Sequence, residues 1–222
     1  MVLLLPFPPF FVCWFRHQLP DIHFKHETGA MGFAVDPSWN KGDKYIYVYY
    51  GNQVAGSMLL SRFTHVENEG QLTSRADVES EVVLWKDTDN WGTKKGGQLW
   101  HYGGQVHFGP DDNIYIPLGD KYTETMQKSS KYHAGCVVRV TKTGAIPAGN
   151  LPPTIKPEAC WAYGIRNGYS SYWDLETNRF FYCRSRRQQQ GLERRPSFRK
   201  ARQTLWLAVL RRCMRQAKVS KL

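Results

Sequence analysis

The chain has 222 residues, enough for one domain with a sizeable core or one domain with extensions, and its 41% apolar and 14% aromatic content fits a β-rich globular fold. The formal charge of +11 is unevenly placed: residues 181–222 hold 13 Lys or Arg against the single acid Glu193, while the other 180 residues carry 17 basic and 18 acidic side chains. With a near-neutral body, no nucleic-acid partner is expected of it, and the basic tail is the part suited to an anionic surface.

Met1 to Phe15 is apolar but too short to span a membrane, and Pro6, Pro8 and Pro9 interrupt any helix. It lacks a basic n-region and a small-x-small cleavage site, so residues 1–26 read either as an extension with a weak secretory leader or as a start foreign to the domain. Gly32 to Asp36 then forms a short strand, Pro37 to Lys44 a turn, and Tyr45 to Tyr50 an aromatic β run. The design recurs at Val106 to Leu118 and at Ser170 to Phe181, where Tyr172-Trp173-Asp174 leads through a turn to Arg179-Phe180-Phe181. Repeated strand–turn–aromatic-strand units at this spacing suggest large blades of a β-propeller. Ser57 to Phe63, Glu81 to Trp85 and Gly135 to Thr141 are further strand candidates, and Glu67 to Asp77 and Thr88 to Gly97 read as loops.

The stretch Trp100 to Asp120 organises the body. His101 precedes the pair Gly103 and Gly104, Gln105 to Phe108 forms one strand of a hairpin, Gly109 to Asn113 its turn and Ile114 to Leu118 the return strand, with Asp120 just beyond. Antiparallel strands bring the outer ends of a hairpin together, so His101 and Asp120 are expected side by side, a base beside the acid that orients it. The simpler alternatives are a loop histidine, a turn aspartate and, for Arg166, a structural ion pair. His65, His107 and His133 carry no supporting pattern, and strand alternation points His107 opposite to Val106. The five cysteines include no C-x-x-C pair, so no metal framework or disulfide scaffold follows, and Cys136 and Cys160 are expected to be buried thiols.

From Arg184 the chain is polar and basic, and Ser197 to Val219 has the pattern of a basic amphipathic helix carrying Leu205, Trp206, Val209 and Leu210. The third hairpin breaks off at Phe181, so residues 182–222 read as unrelated to the domain, either a disordered or helical tail or the product of a faulty gene model.

Several blocks, in order, resemble the glucose/sorbosone dehydrogenase family of soluble quinoprotein glucose dehydrogenases and aldose dehydrogenases. They are G-A-M-G-F-A-V-D-P at 29–37, S-R-F at 61–63, H-Y-G-G-Q-V-H-F-G-P-D-D-N-I-Y-I-P-L-G-D at 101–120, R-V-T-K-T-G-A-I-P at 139–147, W-A-Y-G-I-R-N at 161–167 and W-D-L-E-T at 173–177. The resemblance covers about residues 27–181 and implies an all-β fold, an incomplete six-bladed β-propeller with about half of its blades. It implies a cofactor, pyrroloquinoline quinone (PQQ) held with Ca²⁺, and oxidation of the C1 hydroxyl of an aldose sugar with an external electron acceptor. His101 then corresponds to the general base and Asp120 to the carboxylate that orients it. Arg166 and Asn167 correspond to contacts with the quinone carbonyls, with Arg166 stabilising the developing charge. The chemistry is consistent: hydride leaves an alcohol carbon readily only as the hydroxyl proton is taken, and a fixed guanidinium stabilises negative charge on the acceptor oxygen.

Departures from the family pattern are Tyr102 and Lys121-Tyr122, which stand where smaller residues are expected and would crowd or line the pocket. Glu27 replaces a glutamine, placing a carboxylate with Asp120 at the sugar position. The family's Ca²⁺ ligands follow the R-N block, so no metal ligand is assigned, and the 222 residues alone are expected not to turn over sugar. A Hedgehog-interacting-protein-like propeller that binds without catalysis is the alternative, as is a non-functional fragment. A secreted, extracellular or periplasmic location is expected.

Overall fold

The run Tyr45-Ile-Tyr-Val-Tyr-Tyr has no polar face, so as a strand it needs cover on both sides. The computed structural model describes residues 19, 21–23, 25–67, 74–89, 100–122 and 124–182. In it this run lies inside a four-stranded antiparallel meander of β1 (Ala30–Val35), β2 (Tyr45–Asn52), β3 (Ser57–Glu67) and β4 (Ser74–Lys86). Tyr47 and Tyr49 enter one apolar cluster, whereas Ile46, Val48 and Tyr50 enter another on the opposite face, as a period of two requires.

A second antiparallel meander holds β5 (His107–Phe108), β6 (Ile114–Pro117), β7 (Cys136–Val140) and β8 (Cys160–Tyr163), with the short helix α1 (Glu124–Lys128) between β6 and β7. A hairpin of β9 (Ser171–Asp174) and β10 (Arg179–Tyr182) follows. The three sheets stack face to face. Tyr47, Tyr49 and Leu60 of the first share a cluster with Ile114, Ile116 and Val138 of the second. On the reverse face of the second sheet, Tyr115 and Val137 pack with Trp173 and Phe180 of the third. The leading strands touch in sequence, β1 against β5 and β5 against β9, which is how consecutive propeller blades are arranged. The described fold is therefore mostly β and antiparallel, as the sequence leads one to expect.

An ionic tie joins the first two sheets. Buried Asp36, after β1, accepts hydrogen bonds from Tyr47 Oη at 2.8 Å and Lys142 Nζ at 3.0 Å, and the same ammonium reaches Asp112 at 2.9 Å. Burial alone would raise the Asp36 carboxyl, but the Ser38 N–H, the Tyr47 hydroxyl and the Lys142 charge outweigh it and hold the group below its ordinary value.

Some expectations are corrected. Glu67 to Asp77 is not simply a loop: the β3–β4 ladder runs on through His65–Ala76, Val66–Arg75 and Glu67–Ser74. It does so because Phe63 and Ala76 face an apolar cluster and His65 meets Trp39 edge-on, with ring centroids 4.6 Å apart. Gln105 and Val106 lie outside β5. The Gln105 side-chain oxygen accepts from Ser171 N at 2.6 Å, tying this segment to the next sheet, while Val106 enters the core and His107 turns away to bond Ser171 Oγ at 2.8 Å. The expectations for residues 1–18, for 90–97 of the Thr88–Gly97 loop and for the basic tail from 183 onward lie outside the described residues.

Cys136 and Cys160 are not free thiols but a disulfide. They lie on adjacent strands, and a register shift between Val137 and Val138 brings their Cα atoms to 5.6 Å, inside the range a disulfide spans. Their separation of 24 residues matches no cysteine motif, so spacing gave no signal. Closing a loop of that length stabilises a fold by about 3 kcal/mol in the chain-entropy account. The pair Cys136→Ala/Cys160→Ala is thus expected to lower the unfolding free energy by about 3 kcal/mol in a urea titration. Prior reduction of the native protein should reproduce the loss, and an unchanged midpoint would show the crosslink to be energetically silent.

Candidate functional site

Four segments converge at one rim of the sheets. His101 enters from the segment before β5 and Asp120 follows β6. Arg166 and Asn167 follow β8, and Glu27 precedes β1. The close packing that allows this rests on glycine. A Cβ on Gly119 would overlap the carbonyl of His101, one on Gly103 the carbonyl of Pro117, and one on Gly104 the side chain of Met31. Gly104 N donates to Pro117 O at 3.0 Å, closing the segment onto the end of β6.

His101 Nδ1 lies 2.6 Å from Asp120 Oδ1, and both side chains are largely buried. The acceptor on Nδ1 places the proton there and leaves Nε2 as the lone-pair nitrogen, which bonds no described residue. Asp120 Oδ1 also accepts from Tyr122 N at 2.9 Å, and Asp120 N donates to Arg166 O at 2.7 Å. His101 takes φ = +61°, an uncommon conformation for a side-chain-bearing residue, and its amide donates to Glu27 Oε2 at 2.5 Å. Asn167 Nδ2 donates to the same Glu27 oxygen at 3.2 Å. The Glu27 carboxylate therefore bridges the histidine backbone and Asn167. Asn167 Oδ1 is buried without a partner, and the Arg166 side chain bonds no described residue.

The departures from the family pattern resolve differently. Tyr102 is a core residue, buried in the cluster between the first two sheets. Tyr122 is 63% exposed and lines the rim, its ring centroid 5.1 Å from that of His101. Lys121 does not face the rim. Only 1% exposed, its Nζ lies 2.5 Å from Asp87 Oδ2 and 2.9 Å from Asp89 Oδ2. Nothing in the sequence reading singled out Asp87, Asp89 or His133. The available signal was the pair Asp87 and Asp89 two residues apart at the end of a strand, followed far along the chain by a lysine directly after the Gly-Asp pair.

Asp87, Asp89 and His133 have ligand atoms within 4.8 Å of one another. The Lys121 ammonium stands between the two carboxylates, so the cationic position of this group is filled by the chain itself. Burial lowers the His133 pKa despite the nearby carboxylates, which keeps the imidazole neutral. Lys156 completes the charge balance. Its Nζ donates to the carbonyls of Ser129, Tyr132 and Ala134 at 2.9, 3.1 and 3.3 Å, and burial pushes its pKa down to about 8.

The family model for glucose/sorbosone dehydrogenase matches residues 16–184. The chain belongs to the glucose/sorbosone dehydrogenase family. An uncharacterized protein of Synechocystis is 28% identical over 168 residues, 69% of this chain and 37% of that protein. The PQQ-bound aldose sugar dehydrogenase of Streptomyces coelicolor superposes with a TM-score of 0.57 at 24% identity, over 74% of this chain and 44% of that one. A protein of Thermus thermophilus described as a putative oxidoreductase (glucose dehydrogenase) gives 0.58 at 22% identity, over 73% and 46%. The apo soluble aldose sugar dehydrogenase of Escherichia coli gives 0.58 at 18% identity, over 73% and 45%. The chain thus shares the fold of these solved structures and spans less than half the length of each protein named.

The low Lys156 pKa sets a pH dependence. The folded protein releases this proton near pH 8 and the unfolded chain near 10.5, so below pH 8 both states carry the charge and the burial cost is felt in full. Stability is expected to rise as pH climbs from about 8 to about 9. It should turn down above that, because burial raises Tyr47, Tyr49, Tyr50, Tyr102 and Tyr115 beyond their ordinary value near 10. Urea titrations at pH 7.5, 8.5 and 9 should show the rise, and Lys156→Met should flatten it; an unchanged profile in the variant would contradict this assignment.

Proposed function

We propose that the chain is part of a PQQ-dependent oxidoreductase acting on the C1 hydroxyl of an aldose sugar. The observation that carries this reading is the His101–Asp120 contact of 2.6 Å with Nε2 left as the lone-pair nitrogen. A carboxylate on Nδ1 fixes the tautomer, orients the ring and stabilises the imidazolium that forms when Nε2 takes a proton. A scaffold that only binds has no use for such a pair.

The residues present suit an anionic quinone. The buried, unpartnered Oδ1 of Asn167 leaves polar capacity at the rim, where its Nδ2 shares the Glu27 carboxylate with the His101 amide. Arg166 and Asn167 would hold the quinone oxygens, and the cofactor when bound supplies the two-electron acceptor. Arg166 would offset negative charge gathering on the acceptor oxygen, and His101 would remove the sugar hydroxyl proton through Nε2. Glu27 and Asp120 would border the sugar, with Glu27 also holding His101 and Asn167 in place. For Ca²⁺ the fit fails among the described residues: both rim carboxylates are hydrogen-bonded to the chain, and Lys121 occupies the Asp87–Asp89–His133 group.

Three successive face-to-face sheets in a chain spanning 44–46% of two solved relatives support a six-bladed propeller for the whole domain, with residues 27–181 belonging to it. The disulfide supports an oxidising compartment, secreted or periplasmic. An external electron acceptor would reoxidise the cofactor.

The test is dye reduction by a full-length version that carries residues 27–181 within a complete domain, with PQQ, Ca²⁺ and an aldose. Sugar-dependent reduction is expected, falling roughly 10²–10⁴-fold in His101→Ala, the usual contribution of a positioned acid–base group. No reduction with any aldose would overturn the enzyme reading in favour of a binding propeller, and an unchanged rate in the variant would overturn the role of His101.

A further inference from the structure

The contact between Asp120 and His101 depends on the two residues after Asp120. Lys121 and Tyr122 both adopt the left-handed conformation, with φ of +52° and +57°. Two successive side-chain-bearing residues rarely do so unless held. The result is useful: the Tyr122 amide turns back onto Asp120 Oδ1 at 2.9 Å, the same oxygen that meets His101 Nδ1 at 2.6 Å. Tyr122 itself is a weak anchor: its side chain is 63% exposed and meets the His101 ring edge-on, with centroids 5.1 Å apart. Lys121 is the firm one, because its ammonium is gripped by two fully buried carboxylates, and its own amide points at His101 O at 3.4 Å.

Those carboxylates are themselves fixed. Asp89 Oδ2 also accepts from Ala134 N at 2.9 Å and its Oδ1 from His133 N at 3.1 Å, while Asp87 Oδ1 accepts from Asp89 N at 3.0 Å. Asp87 directly follows β4 of the first sheet and Lys121 lies beyond β6 of the second. The charge cluster therefore spans the two sheets.

We propose that Lys121 is a positioning residue: its buried ammonium, clamped by Asp87 and Asp89, fixes the left-handed turn that aims Asp120 at His101. The assignment rests on reading His101 and Asp120 as the working pair. It differs from a purely structural salt bridge in predicting that loss of the clamp changes the state of the His101 ring.

The test is ¹⁵N NMR of histidine-labelled full chain without quinone or sugar, with His101→Gln identifying the resonance. Wild type should show an Nδ1-protonated His101 with a slowly exchanging proton, and Asp120→Ala should abolish it. Lys121→Met alone would strand two buried carboxylates, so it is combined with Asp87→Asn and Asp89→Asn. That folded triple variant should exchange the Nδ1 proton about tenfold or more faster and populate the other tautomer. Lys156→Met, which disturbs the neighbouring buried ammonium, should leave the signal unchanged. A folded triple variant with the wild-type signal overturns the proposal. If the triple variant does not fold, amide exchange in wild type decides: a protected Tyr122 amide supports the clamped turn, and a freely exchanging one overturns it. Because no turnover is measured, a negative dye assay and a negative NMR result remain separate outcomes.

Discussion

The arrangement depends on a steric constraint at the crossing of two segments. The chain around His101 to Gly104 lies against the end of β6 so closely that a Cβ at Gly103 would strike Pro117 and one at Gly119 would strike His101. Gly32 approaches the Gly104 backbone as tightly from the first sheet, and Gly168 approaches Pro117 from the segment after Asn167. Close backbone approach of this kind is available only where no side chain intervenes. It brings a histidine, an aspartate and the Arg166–Asn167 pair, from segments far apart in sequence, to one rim.

Electrostatics then fix what sterics bring together. Outside the rim, Asp87, Asp89, Lys121 and Lys156 form a balanced buried set, and neutral His133 adds no charge. Buried ion pairs rarely add much net stability, because desolvation offsets their attraction, but removing one partner is costly. Such a set acts less as glue than as a constraint on geometry. At the rim, Glu27 serves the same end on a smaller scale by accepting from both the His101 amide and Asn167.

Much of this was legible in the sequence. The aromatic strand of Tyr45 to Tyr50, the repeated turns and the Trp100–Asp120 hairpin announce antiparallel sheets, and the outer ends of that hairpin place His101 by Asp120. What was not legible is instructive. The disulfide depends on a bulge between Val137 and Val138 that no spacing rule encodes. The strand character of Ser74 to Asp77 comes from tertiary burial of Ala76 against Phe63, which overrides a polar composition. Lys121 looked like an intrusion into a pocket because its sequence neighbour is Asp120; the positive φ at 121 sends its side chain the other way. The position of Glu27 suggests contact with sugar, yet its carboxylate also bridges two protein segments, a role that sequence cannot reveal.

Gly119 offers the most direct test of the central claim that close backbone packing delivers the histidine to its carboxylate. Its φ lies outside the left-handed region, so alanine there tests space alone. A crystal structure of Gly119→Ala is predicted to keep the sheets, displace His101 and break the 2.6 Å contact with Asp120. A structure in which the alanine is accommodated and that contact persists would contradict the account.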